Sequence, residues 1–398
     1  MSAASRAIRR PALEALTGLR FVAAMAVALY HAMDVLVPSA TGFAARLTSH
    51  GFLGVSLFFV LSGFILTYTY IDPDTGLLRG SRRSFWWARF ARIYPVYAIA
   101  LLMALPVFVL YRIVLASSPA RPAALLSAAL TPLLLQSWWP SAACQWNCPG
   151  WSLSVELLFY ALFPLLGAWL ARRRSHVLVL GVLAWTSCLV IPIAFLALAP
   201  AASTHPTRFD TSFWLQAVKF NPVVHLGEFA VGIVAGLAFM RRDLVAMLSS
   251  RTFGWMGLSG LVLSAAWLGT HDGPYLLLHD GLLAPLWAVA IITLATGEGI
   301  VARVLGCPPM VRLGEASYAV YLLHAPLLGY LALLRGFLRI RHAGVVVPAS
   351  LAILAYLGGT IVLSLILFHR VEEPARRWIR QRGRVDARPE AVRSLIAV

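Results

Sequence analysis

"LTGLRFVAAMAVALYH" at residues 16–31 is the first long apolar run of the chain, and it decides the fold class. With its flanks, the run reaches the roughly 20 apolar residues that a helix needs to cross the hydrocarbon core of a bilayer. It nevertheless carries Arg20 and His31, two ionisable side chains that are energetically unfavourable in hydrocarbon. The stretch therefore predicts a membrane helix with a polar face.

The composition extends this prediction to the whole chain. Of its 398 residues, 60% are hydrophobic and only 12% are charged, whereas soluble domains average about 45–50% apolar and 25% charged residues. The net charge of +17 comes from short basic clusters at the ends of apolar runs. This distribution is typical of topology determinants and not of a nucleic-acid interface. We expect an all-α polytopic membrane protein with no nucleic-acid partner.

The hydropathy pattern predicts about ten transmembrane helices. They fall at 15–37, 52–70, 93–115, 151–171, 177–200, 222–240, 253–269, 281–297, 315–338 and 345–369. With this assignment the main basic clusters lie on one side, which predicts cytoplasmic N- and C-termini and a location in the cytoplasmic (inner) membrane. Residues 1–380 are expected to form a single membrane-embedded domain, and 381–398 a flexible basic cytoplasmic tail.

One apolar segment, near 122–137, is not counted as a span. It is short and contains Pro122 and Pro132, and its crossing would invert every later loop. We expect a re-entrant or surface helix there.

The first helix has a definite geometry. His31 follows Arg20 by eleven residues, which places it about 16 Å further along an ideal helix and about 20° past three full turns. The two side chains therefore share one face, and Asp34, one turn further, is a candidate hydrogen-bond partner for the imidazole. The alternative is that Arg20 snorkels to the headgroups and His31 is a hydrogen-bonded core histidine.

Glu156 lies too deep in its predicted span to be an interfacial carboxylate. The stretch "WSLSVELLFYALFP" places it five residues inside the boundary, one turn after Ser152. A buried carboxylate needs a partner, and His31, at a similar predicted depth, is the expected one. The alternative is a protonated glutamate that holds helices together.

Two later spans add further candidates. "SYAVYLLHAPLL" places His324 near mid-membrane with Tyr321 one turn before it, and "HLGEFAVGIVAG" contains Glu228 one turn after His225. Tyrosines at helical spacing are more often packing residues than catalytic ones, so Tyr321 is the weaker candidate.

The stretch "RRSFWWARFARIYPVY" on the predicted cytoplasmic side contains Arg89 and Arg92 among aromatic residues. Guanidinium groups match phosphate oxygens, and an aromatic face can stack on a purine, so the cluster is a candidate nucleotide-phosphate site. Any cytoplasmic membrane interface is also rich in arginine and tryptophan.

The four cysteines show no metal-ligand spacing, so no metal site is expected. Cys144 and Cys148 fall in a predicted outer loop, and whether they form a disulfide is left open.

These stretches, in this order, resemble the acyltransferase 3 family of integral membrane O-acyltransferases. The matching segments run from about residue 16 to "VEEPARRW", which ends at residue 378. The family's arginine and histidine separated by ten residues fall on Arg20 and His31, its RxxR pair on Arg89 and Arg92, and its glutamate on Glu156.

The resemblance implies transfer of an acyl group, most often acetyl, from cytoplasmic acyl-CoA to a hydroxyl of an extracytoplasmic acceptor. Within it we assign His31 as the general base and Glu156 as the group that orients or charges it. Arg89 and Arg92 are assigned as anchors of the CoA phosphates, and Arg20 as lining the route of the donor. An acyl-histidine relay is the competing mechanism.

The acceptor is open between exopolysaccharide, lipopolysaccharide, a cell-wall glycan and a macrolide-like small metabolite. The expected partners are this acceptor, the lipid bilayer and polysaccharide assembly machinery. The alternatives from other classes are a proton-coupled transporter of glycan precursors and a membrane scaffold in polysaccharide export.

Overall fold

The computed structural model describes residues 13–117, 120–198, 212–241, 251–341 and 348–385, and these are almost entirely helical. The helices are α1 (Glu14–Leu36), α2 (Phe43–Ser49), α3 (Leu53–Tyr70), α4 (Arg82–Phe108), α5 (Arg121–Leu130), α6 (Trp151–Ala171), α7 (Val177–Leu198), α8 (Phe213–Phe220), α9 (Leu226–Phe239), α10 (Arg251–Leu268), α11 (Tyr275–His279), α12 (Ala284–Ala295), α13 (Gly299–Leu305), α14 (Pro308–Glu315), α15 (Ser317–Arg341), α16 (Ala349–Leu367) and α17 (Glu373–Val385). The predicted all-α fold is confirmed.

Eight helical segments of the described chain are long and apolar enough to cross a membrane. They are Glu14–Leu36, Leu53–Tyr70, Arg82–Val114, Cys148–Ala171, Arg174–Leu198, Tyr275–Ala295, Ser317–Leu338 and Ala349–Ile379. The predicted spans at 222–240 and 253–269 coincide with the shorter apolar helices Leu226–Phe239 and Ser259–Leu268. The number of ten crossings and the side of the termini stay predictions.

The segment near 122–137 forms α5 followed by short 3₁₀ turns. A ten-residue helix rises only about 15 Å, half the roughly 30 Å of the hydrocarbon core, so α5 does not cross the membrane alone. At the C-terminus α17 continues to Val385. The predicted tail boundary at 381 therefore falls inside a helix, while 386–398 lie outside the described residues.

Helices α3 and α9 pack closely through glycine. A Cβ added at Gly63 would lie 2.2 Å from the carbonyl oxygen of Phe229, and one at Gly232 would lie 2.0 Å from that of Val60. Real Cβ atoms do not approach other atoms so closely, so both positions require glycine. Small residues allow this backbone approach between membrane helices, and the glycines of "GFLGVSLFFVLSGFIL" include one of the two.

Residues 131–150 run between α5 and α6 as a series of 3₁₀ turns, and Cys144 and Cys148 within them are joined by a disulfide. The Ser137 hydroxyl donates to the Trp151 carbonyl at 2.7 Å, and Asn147 Nδ2 donates to the Leu322 carbonyl at 3.1 Å. These bonds fix the 131–150 segment to the start of α6 and to α15. Helix α1 also packs against α3, α14 and α15, so its polar face meets the same group of helices.

Candidate active site

The structure brings six of the predicted site residues together around one cavity, four of them arginine or glutamate. Arg20 of α1, Arg89 and Arg92 of α4 and Glu156 of α6 line a space of about 140 Å³ between the helices, which we name the arginine cavity. These four residues come from three helices that are distant in sequence. Arg20 interacts electrostatically with Glu156 and Glu372.

Arg89 is held by aromatic side chains. Its Nη2 donates to the hydroxyl of Tyr70 at 3.0 Å, and its guanidinium carbon lies 5.3 Å from the Tyr70 ring centroid and 5.8 Å from that of Tyr160. Cation–π contacts of this kind favour a cation in a partly desolvated site. Its Nε is buried without a hydrogen-bond partner, so the guanidinium is not fully satisfied by the protein.

Arg92 forms an ion pair with Glu372, which the sequence analysis did not select. The carboxylate of Glu372 is fully buried and also lies 3.6 Å from Arg376. A π-helical turn, Phe368–Glu372, joins α16 to α17 and directs this side chain inward. The signal was present in "VEEPARRW", where a carboxylate follows the end of the last apolar run by four residues. The charge of Arg92 is thus partly neutralised inside the protein, which weakens its assignment as a phosphate anchor.

Glu156 does not pair with His31, so that expectation is wrong. Its Oε2 accepts a hydrogen bond from Tyr160 at 2.9 Å, and its carboxylate interacts electrostatically with Arg20, Arg92 and Arg89. The depth of Glu156 in its span was estimated from sequence, but a depth does not determine which neighbouring helix the side chain faces. The structure directs it to the arginines.

Ser152 and Tyr321 form a hydrogen-bonded pair at the far end of the arginine cavity. Their hydroxyls are 2.8 Å apart, and both lie within 3.1 Å of the Pro149 carbonyl oxygen. The Tyr321 ring centroid is 5.8 Å from that of His324. One wall residue of the cavity, Tyr321, therefore packs beside the buried histidine of α15.

His31 and His324 contact each other. Nδ1 of His31 lies 3.2 Å from Nε2 of His324 and 3.0 Å from the carbonyl oxygen of Val27. A carbonyl can only accept, so the contact with Val27 requires a proton on Nδ1 and leaves the lone pair of neutral His31 on Nε2. Neutral His31 in this tautomer is a base through Nε2. Asp34 is half-buried one turn later, and its predicted bond to His31 stays a prediction.

Glu228 belongs to a second buried polar cluster. It lies 2.8 Å from Nδ1 of His225, whose Nε2 lies 2.9 Å from the carbonyl oxygen of Lys219. The sequence analysis missed Asp280 and His279, which form a 2.8 Å contact beside this pair. His225, His279 and Asp280 are close enough to share a metal ion. However, Nε2 of His225 faces a carbonyl and must donate there, so the arrangement fits a hydrogen-bonded network better than a metal site.

Comparisons with known proteins match nearly the same part of the chain as the motifs quoted in the sequence analysis. The family model of the acyltransferase 3 type, described as "Acyltransferase domain", matches residues 13–369. The chain is 32% identical to acyltransferase MdmB of Streptomyces mycarofaciens, over 97% of this chain and 96% of that protein. It is 30% identical to exopolysaccharide production protein ExoZ of Rhizobium meliloti, over 84% of this chain and 93% of that protein.

A third relative is longer than this chain. O-acetyltransferase OatA of Staphylococcus aureus is 24% identical over 79% of this chain, and the match covers 50% of OatA. No solved structure matches the chain.

Proposed function

Because this chain belongs to the acyltransferase 3 family, we propose that it moves an acyl group, acetyl by default, from cytoplasmic acyl-CoA to a hydroxyl of an extracytoplasmic glycan. The glycans that we propose as acceptors are exopolysaccharide and lipopolysaccharide. The similarity to a protein named for exopolysaccharide production supports a polysaccharide acceptor. The family membership also favours an enzyme over the transporter and the scaffold.

The observation that carries the proposal is the arginine cavity, whose wall residue Tyr321 packs beside His324, the partner of His31. Three guanidinium groups and two carboxylates, Glu156 and Glu372, leave a net positive charge there, which suits an anionic donor. The cavity volume of about 140 Å³ is well below the roughly 300–1,000 Å³ of pockets that enclose drug-sized ligands. We therefore place only the pantetheine arm and its thioester inside, with the nucleotide at the cytoplasmic entrance.

The proposed step is attack of the acceptor hydroxyl oxygen on the thioester carbonyl carbon. Nε2 of His31 takes the hydroxyl proton while the new C–O bond forms, the C–S bond breaks, and the proton passes to the CoA sulfur, which leaves as the thiol. The hydroxyl protons of Ser152 and Tyr321 are used by each other and by the Pro149 carbonyl, so we assign these two residues to shaping the cavity wall and not to the oxyanion. Glu156 then acts on the donor side, by balancing the arginine charges, and not by orienting His31.

The match to MdmB leaves a second acceptor class as the alternative. That protein aligns over 96% of its length and is named only as an acyltransferase, with no acceptor in its name. Such an acceptor would be a macrolide-like hydroxylated metabolite, acylated by the same chemistry.

The test uses the full-length protein in lipid nanodiscs with radiolabelled acetyl-CoA, offered maltoheptaose and erythromycin as acceptor probes. In parallel, surface glycans and secreted metabolites of deletion and complemented cells are compared by mass spectrometry. We expect an acyl-sized mass that depends on the gene and on His31. Identical glycan and metabolite masses in deletion and complemented cells would refute the proposal. Transport of a glycan precursor without acyl-CoA would favour a transporter.

A further inference from the structure

A second cavity is lined in part by Ala325 and Pro326, the two residues that follow His324 on α15. It has a volume of about 460 Å³ and lies between the end of α4, the disulfide-bonded part of the 131–150 segment and α15. We name it the disulfide cavity, because Cys144 and Cys148 form part of its wall. Its volume falls within the range typical of pockets that bind organic ligands.

Both cavities have wall residues close to His324 on α15. Tyr321, one turn before it, lines the arginine cavity, whereas Ala325, immediately after it, lines the disulfide cavity. The 131–150 segment likewise contacts residues of both cavities. Asn147 lines the disulfide cavity, and the Pro149 carbonyl two residues later accepts bonds from Ser152 and Tyr321 of the arginine cavity. Residues on either side of His324 in α15 therefore line different cavities.

The wall of the disulfide cavity offers the chemistry of a hydroxyl-binding site. Asn147 is only 3% exposed and its Nδ2 is used by the Leu322 carbonyl, but its Oδ1 has no hydrogen-bond partner. A buried acceptor without a partner is unfavourable by about 1–3 kcal/mol, and a ligand hydroxyl would remove this penalty. Phe108 and Trp146, stacked with centroids 5.0 Å apart, form an aromatic part of the wall, and Arg112 supplies a cation.

We propose that the disulfide cavity binds the acceptor as a hydroxylated sugar ring and presents its hydroxyl to the His31–His324 pair. The inference rests on the proposed function and deepens it, because it separates the acceptor site from the donor site. The ring belongs either to a polysaccharide or to a glycosylated metabolite, since the same amide, aromatic and guanidinium groups recognise both.

The test changes the wall of the disulfide cavity at residues that do not line the arginine cavity. Ala325→Leu places a larger side chain in the wall next to His324, and Tyr111→Ala removes a ring that is 46% exposed and lines the same cavity. Ala161→Leu, at an exposed position of α6, is the matched control. Complemented cells carrying each variant are assayed for acyl-modified glycan and metabolite by mass spectrometry, and the purified proteins are assayed for binding of radiolabelled acetyl-CoA.

We expect Ala325→Leu to lower the acylated product by roughly tenfold or more, as pocket contacts of one or a few methylenes do, with acetyl-CoA binding as in the wild type. Tyr111→Ala is expected to lower it less, and Ala161→Leu not at all. Whether the lost product is glycan or metabolite identifies the source of the ring. Wild-type product levels in both cavity variants, or loss of acetyl-CoA binding together with product, would overturn the inference alone. Absence of any acylated product from wild-type cells would overturn the proposed function as well.

Discussion

Nε2 of His324 lies 3.2 Å from Nδ1 of His31, although 293 residues separate the two in the chain. The contact joins α1 to α15. His324 is fully buried, whereas His31 is half-buried. This asymmetry suits His31 as the histidine that meets the substrate and His324 as the residue that positions it.

His31→Gln is expected to abolish acyl transfer while the protein still inserts and binds acetyl-CoA. General-base catalysis contributes roughly 10²–10⁴-fold to a rate, so the loss should fall in that range or exceed it. The measurement is the initial rate of labelled product formation in nanodiscs, with equilibrium binding of acetyl-CoA as the control. Transfer at the wild-type rate by the purified variant would rule out His31 as the base.

His324→Phe is expected to lower the turnover rate and to change its pH profile, without raising the Michaelis constant for acetyl-CoA. Phenylalanine fills the space but removes the ring nitrogen that contacts His31. His324→Gln keeps a hydrogen-bonding group there and should recover part of the rate. A merely structural role would leave the pH profile of both variants unchanged, so an unshifted profile contradicts the positioning role.

Arg89→Ala is expected to raise the Michaelis constant for acetyl-CoA more than that for the acceptor, because its guanidinium lines the donor cavity with an unsatisfied Nε. Arg20→Ala should act in the same direction. Arg303→Ala, an exposed arginine of α13, is the control for the loss of one positive charge. Equal dependence on acetyl-CoA in all three variants would argue against a donor in the arginine cavity.

Glu372→Ala is expected to destabilise the protein, because it leaves Arg92 without its buried partner. Breaking a buried ion pair costs about 3–5 kcal/mol, so a clear decrease in the midpoint of thermal unfolding should follow. The double variant Arg92→Met with Glu372→Leu removes both charges and should recover much of the stability. A single variant as stable as the wild type would show that the pair does not hold α17 against α4.

Gly63→Ala is expected to weaken the packing of α3 on α9, since the added Cβ would lie 2.2 Å from a backbone carbonyl oxygen. Overpacking of this kind costs about 1–3 kcal/mol. Gly358→Ala on α16 is the matched control, because nothing lies within 4 Å of the added atom there. Thermal unfolding of both variants checks the prediction, and an equal effect at the two positions would contradict it.

Much of the site was predictable because membrane helices restrict where charge can lie. Arg20, Arg89, Arg92 and Glu156 were selected as ionisable residues in or at the ends of apolar runs, and all four line one cavity. The partner of Glu156 was predicted wrongly, since similar depth in the membrane does not establish contact. Glu372 was missed because its importance depends on Arg92, a residue 280 positions away.

The sequence by itself determined the all-helical membrane fold, because hydropathy and helical periodicity are properties of local sequence, and its motifs indicated the family. Only the tertiary structure decided which helix faces meet. It placed Glu156 among arginines, His31 against His324, and a second cavity beside α15. Pairing between helices depends on how each is rotated and packed, and close glycine contacts such as that of Gly63 with α9 set this packing.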